Sequence, residues 1–315
     1  MRPEPEFDLA DKKIWIAGET GMVGHAALQR LHHENCIILS APHEELDLTR
    51  QSATMEWLAD HKPDVIIMAA ARVGGIGANK AAPAGFLYEN LAMAQNVIHG
   101  AYKTGVSKLL YLGSSCIYPK MAPQPIREDA LLSGPLEPTN EAYAIAKIAG
   151  LKLCQYYKQQ YGCNFISAMP CNLYGPHDTF EAQNSHVIPA IMLKLHEAKI
   201  KNEAEVILWG TGTALREFLY VEDLADALIH LLEYYDGDDP VNIGSGDEIS
   251  IADLSLKIKE IVGYEGEIVF DPAQPDGTPR KLLDSSRMND LGWHATTSLD
   301  LGLQNTYEWF LQHSS

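Results

Sequence analysis

Up to residue 170 the chain alternates two textures, and that alternation is what most constrains its fold. Short β-branched apolar runs at 14–17, 36–40, 65–69, 109–113 and 165–169 are separated by longer helical patterns at about 22–34, 51–61, 84–104 and 143–160. Apolar runs of this length, without polar alternation, read as strands buried on both faces, which a parallel sheet covered by helices provides. Right-handed crossovers between such strands give a doubly wound α/β architecture. After Pro170 the loops lengthen and gain Gly, Pro and Asn, with helices expected near 187–199, 222–234, 251–262 and 299–312. The expected division is a first domain over residues 1–175 and a smaller mixed α/β domain over 176–315, with 218–245 returning to the first.

Charge and cysteine usage then exclude several kinds of function. The 315 residues carry 42 acidic against 24 basic side chains, a net charge of −18. Nucleic acid and membrane surfaces both want a basic field, so neither is an expected partner. A phosphate ligand remains open, because it needs only local cations and free backbone N–H groups. Cys36, Cys116, Cys154, Cys163 and Cys171 are odd in number and show no CxxC spacing, which fits a reducing cytoplasm rather than a disulfide framework. The histidines show no HExxH spacing, and no metal site is expected. Residues 1–11 have no apolar stretch of the kind a secretory signal carries and read as a loose lead-in to the first strand.

Residues 14–24, IWIAGETGMVG, place Gly18, Gly21 and Gly24 directly after the first strand and at the start of a helix. Glycines there allow a tight turn, close approach to a pyrophosphate and close helix–sheet packing, while the helix N-terminus supplies N–H groups and positive potential. The expected ligand is a dinucleotide. No acid stands at the end of the second strand, where residues 40–43 read Ser-Ala-Pro-His, and this favours NADP over NAD.

A second constellation lies at the carboxyl ends of later strands. Ser114 follows the apolar run at 109–113, and Tyr143 and Lys147 are spaced i, i+4 on one helical face that Thr139 or Asn140 can cap. A cation beside the phenol is expected to lower its pKa towards the range of a working acid/base. Taken singly, Tyr143 and Lys147 would be ordinary helix-surface residues. Their order after a glycine turn points instead to a Ser–Tyr–Lys reductase site.

The spacing GxxGxxG with this triad resembles the extended short-chain dehydrogenases/reductases. More specific blocks resemble the GDP-L-fucose synthase family: ARVGGIG at 71–77, GSSCIYPK at 113–120, LEPTNE at 136–141, NLYGPHD at 172–178, NSHVIP at 184–189 and PDGTPRK at 275–281. The likeness runs from about residue 13 to residue 312. It implies a GDP-linked keto-deoxy sugar, epimerised at carbons 3 and 5 and reduced at carbon 4 by NADPH. It also implies Cys116 as base, His186 as acid, and Ser114, Tyr143 and Lys147 in the reduction. Cofactor contacts carried over by the resemblance are Gly18, Thr20, Gly21, Met22, Val23, Gly24, Asp47, Leu48, Ala70, Ala71, Tyr143, Lys147, Pro170, Asn172, Leu173 and His186. Substrate contacts carried over are Lys194, Trp209, Arg216 and Asp276.

Arg280 and Lys281 are weaker candidates for the nucleotide sugar, since a surface basic pair is usually only solvated. The family's phosphate-gripping arginines are replaced here by Thr20 and residues 40–43, so NADPH is expected to be preferred over NADH by a modest ratio. The family implies a homodimer, for which the patterns at 84–104 and 143–160 offer apolar residues. Rival readings are a related enzyme on the GDP-colitose route or on a GDP-heptose, and a dinucleotide-sensing protein without turnover. The last has no need of Tyr143, Lys147, Cys116 and His186.

Overall fold

The computed structural model describes residues 5–181, 185–274 and 276–313. Met1 to Glu4 of the lead-in, Asn184 of the NSHVIP block and Pro275 of the PDGTPRK block lie outside the described residues. The strands are β1 (Lys13–Ala17), β2 (Ile37–Leu39), β3 (Val65–Met68), β4 (Lys108–Leu112), β5 (Phe165–Pro170), β6 (Asn172–Tyr174), β7 (Glu205–Trp209), β8 (Leu215–Tyr220), β9 (Val241–Ile243), β10 (Glu248–Ser250), β11 (Glu267–Asp271) and β12 (Arg280–Lys281). The helices are α1 (Met22–Leu31), α2 (Gln51–His61), α3 (Ile76–Ala81), α4 (Pro83–Thr104), α5 (Glu141–Tyr161), α6 (Val187–Lys201), α7 (Val221–Tyr234), α8 (Ile251–Val262), α9 (Ser286–Asp290) and α10 (Leu299–His313).

A six-stranded sheet in the order β2-β1-β3-β4-β5-β9 forms the centre, with every neighbouring pair parallel. Strands β3, β4 and β5 are buried at every position, which is why their sequences run apolar without alternation. This is the doubly wound, Rossmann-like arrangement expected from the sequence. The strand order reverses between β1 and β3, the place where open α/β sheets have a ligand crevice outside the strand ends. The glycine turn follows β1, and Ala70 and Ala71 follow β3, so both line that crevice.

Helix α1 stops at Leu31, short of the expected residue 34. Residues 32–35, His-His-Glu-Asn, offer no apolar side chain to continue the buried stripe, and Arg30 binds Glu34 at 2.6 Å and Asp226 at 2.8 Å. No helix among the described residues is long and apolar enough to cross a membrane.

Beyond residue 170 the sequence places only helices and long loops by position, and the structure supplies the strands of the expected mixed α/β region. A second sheet is built on β8, which pairs antiparallel with β10 and parallel with β12 and β6. Strands β7 and β11 form a separate parallel pair. These strands have two to six residues, and β7 alternates exposed and buried positions, so none shows the continuous apolar run of the main sheet. A second core gathers Tyr174, Met192, Leu195, Leu254, Ile258 and Leu303. Each such fully buried aliphatic side chain contributes about 1.5–3 kcal/mol of transfer free energy. Within 218–245, α7 and β9 pack into the first core, whereas Phe218 and Tyr220 of β8 belong to the second.

Candidate active site

The glycine turn is closed against the strand beside it. Gly18 has φ +96°, and a Cβ there would stand 2.7 Å from the backbone of Ala70. A Cβ on Gly24 would stand 2.0 Å from the carbonyl oxygen of Gly18. Any side chain at either position would fill the cradle or force the turn apart. Helix α1 begins at Gly21 without a side-chain cap, which leaves its first N–H groups pointing out of the turn. Thr20 is exposed on the turn, while Met22 and Val23 pack against Val221 and Ala225 of α7. Those two residues therefore offer backbone N–H groups, not side chains. The backbone fits a dinucleotide pyrophosphate.

Around the crevice the other expected cofactor contacts are partly committed to the fold. Asp47 accepts from both the N–H and the hydroxyl of Thr49 at 2.9 and 2.7 Å, which holds its carboxyl below the usual range. Leu48 is buried, and its carbonyl accepts from Asn96 at 2.9 Å. Pro170 ends β5 beside Ile243, Asn172 donates to the Glu217 carbonyl at 2.7 Å, and Leu173 packs on the first core.

Ser114 follows β4 and caps a single helical turn, Ser115–Ile117, by accepting from the Cys116 N–H at 3.3 Å. That turn holds Cys116 beside the serine. Ser114 is also a hydrogen-bonding neighbour of the Tyr143 phenol. Tyr143 and Lys147 lie one turn apart on α5, as the spacing predicted, with the Lys147 Nζ 5.9 Å from the Tyr143 ring centroid. Their electrostatics differ from expectation. Lys147 is 3% exposed, and burial pulls its pKa down to about 7 while its Nζ donates to the Leu112 carbonyl at 2.7 Å. Tyr143 is pushed up instead of down, first by burial and then by the nearby Cys116, against the opposing Ser114 hydrogen bond. Desolvation thus sets the direction, towards the neutral phenol, and Lys147 is not among the groups that oppose it. Asn140 occupies the N-cap position of α5, but its side chain makes no capping bond; its Oδ1 and the Thr139 hydroxyl are buried without partners.

Lys281 changes most on passing from sequence to structure. Its neighbour Arg280 is tied to Glu248 at 2.7 Å, a structural ion pair. The Lys281 ammonium instead donates to the Cys116 sulfur at 3.5 Å. Strand β12 is held in place by parallel pairing with β8, in a register that sets Lys281 beside Arg216. Glu217, fully buried in β8, accepts from the Leu283 N–H at 3.0 Å and the Gly246 N–H at 2.8 Å, clamping the chain just beyond β12. Burial pushes the Cys116 thiol up, but the Lys281 charge, hydrogen bonds from Ser114 and Lys281, and the His186 charge together bring it below its ordinary value. A pocket beside the sulfur is lined by Ser115, Lys120, Glu137, Asn140 and Lys281.

His186 stands at the N-terminus of α6 with its side chain 46% exposed to the cleft. Its Nδ1 is 3.6 Å from Oδ1 of Asp178, a buried carboxylate whose Oδ2 has no partner. The Asp178 side chain is the main cause of a raised imidazole pKa, opposed by burial and reinforced by the Cys116 charge. Asp178 was visible in the NLYGPHD block without a role; only the fold shows that it faces His186.

The outer part of the cleft carries the expected substrate residues. Trp209 is 63% exposed, and the Lys194 ammonium lies 5.9 Å from its ring centroid. Arg216 donates to the carbonyls of Leu215 at 2.8 Å and Asp276 at 3.2 Å and contacts no carboxylate oxygen in those bonds. Burial lowers its pKa, opposed by the charges of Asp276 and Cys116, so an anion beside it would be welcome. The Asp276 carboxylate accepts from the Thr211 N–H at 2.7 Å and hydroxyl at 2.9 Å, so part of the capacity assigned to a ligand is used internally.

Residues 14–244 match the NAD dependent epimerase/dehydratase family. The chain is 57% identical over 309 residues to a GDP-L-fucose synthase of Sinorhizobium fredii, covering 98% of both chains. A GDP-L-fucose synthetase structure from Naegleria fowleri, bound to NADP, superposes with a TM-score of 0.91 at 28% identity, over 99% of this chain and 97% of that one. A GDP-6-OMe-4-keto-L-xylo-heptose reductase from C. jejuni gives 0.92 at 34% identity, over 96% and 98%. With near-complete coverage at more than half identity, the chain belongs to the NAD dependent epimerase/dehydratase family and, within it, to the GDP-L-fucose synthases.

Proposed function

We propose that the chain converts GDP-4-keto-6-deoxy-D-mannose to GDP-L-fucose with NADPH, inverting carbons 3 and 5 and reducing the ketone at carbon 4. The observation that carries this reading is the Cys116 sulfur, which accepts from the Lys281 ammonium and has the Ser114 hydroxyl beside it. A plain reductase has no use for such a thiol. An epimerase needs it as a base next to a carbonyl.

In this mechanism Cys116, as thiolate, takes a proton alpha to the ketone, and Ser114 and Tyr143 hold the enolate oxygen. His186, whose pKa Asp178 raises, returns a proton on the opposite face. The reduced nicotinamide supplies the hydride for carbon 4. Tyr143 gives its phenolic proton to the carbonyl oxygen as the alcohol forms, and Lys147 holds the nicotinamide ribose. Arg216 and Lys194 face the diphosphate, and the exposed Trp209 ring packs on guanine or sugar, with Asp276 beside it. The first core carries the dinucleotide and the second the nucleotide sugar. A substrate on the GDP-colitose route or a GDP-heptose is less supported, since identity falls to 34% with the heptose reductase. Incubation with the keto sugar and NADPH in deuterated buffer tests the reading: nicotinamide oxidation with deuterium at carbons 3 and 5 supports it, and oxidation without exchange defeats the epimerase half.

Lys281 and Asp178 act here as positioning residues, with opposite pH signatures. Lys281 holds Cys116 below its ordinary pKa, so Lys281→Met should slow exchange on the acid side, about tenfold per pKa unit lost, and leave the alkaline side unchanged. Asp178 holds His186 above its ordinary pKa, so Asp178→Asn should slow exchange on the alkaline side and spare the acid side. Uniform losses across the pH profile would mean that the two residues are only structural.

Free cysteines throughout the described chain suit a reducing cytoplasm. We also assign the exposed apolar stripe of Tyr88 and Leu91 on α4 with Ile145 and Tyr156 on α5 to a second copy of the chain. Light scattering should give a dimer mass that Tyr88→Glu with Tyr156→Glu halves; a monomeric wild type would remove the assignment.

A further inference from the structure

We propose that the small cavity beside Cys116 is a proton port: a water held there passes the thiol proton to Glu137, which resets the base between the two inversions while the sugar stays bound. The need for it follows from proton accounting. Cys116 ends the first inversion as a thiol and His186 ends it as a neutral imidazole, yet the second inversion starts from the thiolate and the imidazolium. The half-exposed ring of His186 regains its proton from solvent. The sulfur, covered on its open side by the bound sugar, needs another way out. The inference rests on the epimerase reading of Cys116.

The cavity has the geometry for that task. Its volume is about 40 Å³, room for at least one water. Cys116, Lys281, Ser115, Asn140, Lys120 and Glu137 line it, whereas Ser114, Tyr143 and His186 do not, so it lies beside the place of the reacting carbonyl and not within it. Among the described residues that line it, Glu137 is the one carboxylate. Lys120 holds Glu137 Oε2 at 2.8 Å, and the Glu137 side chain is 15% exposed, so the carboxylate is mostly buried yet keeps an open side. Its Oε1 accepts from the Thr139 N–H at 3.3 Å, and a carboxylate oxygen can take a second donor. The Lys120 N–H donates to the Pro135 carbonyl at 3.0 Å, which ties together the two loops that wall the cavity. In the reset, the S–H bond of Cys116 breaks as the water gains that proton. The water gives one of its own to Glu137 Oε1, which loses it to bulk solvent. Lys281, 3.5 Å from the sulfur, stabilises the thiolate left behind.

Given the keto sugar and NADPH in deuterated buffer, the wild type should yield product inverted and deuterated at both carbons. In Glu137→Gln the reset slows while hydride transfer continues. The ratio of singly to doubly inverted product, read by proton NMR, should then rise by about tenfold or more, a modest part of a proton-transfer group's usual share. Glu137→Ala should show the same shift, and formate, a carboxylate small enough for the vacated space, should return the ratio towards the wild type; a folding defect would not be rescued in this way. Lys120→Met keeps the carboxylate and should leave the ratio unmoved. An unmoved ratio in Glu137→Gln, or an equal shift in Lys120→Met, would overturn the inference and leave the epimerase reading intact. A raised KM for the sugar with an unmoved ratio would make Glu137 a substrate contact, which also overturns it. A wild type that takes up no deuterium at either carbon would defeat the epimerase reading itself, and the inference with it.

Discussion

Cys116→Ser is expected to lower deuterium uptake at carbons 3 and 5 by about 10²–10⁴-fold, the share a positioned base usually holds. The substitution keeps the shape of the side chain and its place beside Ser114, so cofactor binding and folding should be unchanged. What it removes is an acidic proton. The thiol sits below its ordinary pKa because the Lys281 ammonium, 3.5 Å away, outweighs burial together with Ser114 and His186. A serine hydroxyl in the same field stays protonated at any working pH. The half of the site that handles hydride does not need the sulfur. Reduction should therefore continue on the unepimerised ketone and yield a 6-deoxy sugar of D configuration in place of L-fucose. Proton NMR of the product in deuterated buffer separates the two outcomes, and exchange at the wild-type rate would mean that another residue is the base.

How much of this was legible in the sequence depended on where each residue's partner comes from. Gly18, Gly24, Ser114, Tyr143 and Lys147 are legible because their chemistry is set by local backbone: a strand end, a tight turn, one helical face; Cys116 took its role from the likeness of the block at 113–120. The apolar runs of β3, β4 and β5 gave away the parallel sheet for the same reason. Lys281 could not be found this way. It lies 165 residues from Cys116 and reaches it only because a two-residue strand pairs with β8 and Glu217 clamps the chain at Leu283. A basic pair in a loop carries no mark that one member is an ion-pair residue and the other a thiolate partner. Asp178 shares that defect, since an acid beside a conspicuous motif looks like solvated charge until its neighbour is known.

For Tyr143 the spacing alone points to a pKa shift of the wrong sign, and the reason is general. Spacing shows that a cation and a phenol share a helical face, but it does not show how dry that face is. With Lys147 3% exposed, desolvation dominates both groups. It pulls the ammonium down to about 7 and pushes the phenol up.

That reversal defines the expected behaviour of Tyr143→Phe. Reduction of a ketone needs a proton delivered to the oxygen as hydride arrives at carbon, and a group already ionised cannot deliver it. Held neutral by burial, Tyr143 is loaded for that step, with Ser114 orienting its hydroxyl. Phenylalanine fills the same space without the proton, so NADPH oxidation should fall by about 10²-fold or more. Exchange at carbons 3 and 5 should survive in part, because Cys116, His186 and Ser114 remain to form and collapse the enolate. An alkaline loss of the wild-type reduction rate below pH about 10 should therefore not come from the phenol of Tyr143, which ionises above that ordinary value. A near-normal oxidation rate in Tyr143→Phe would transfer the proton to another donor, and Ser114, the other hydroxyl at the carbonyl position, would be the next to replace.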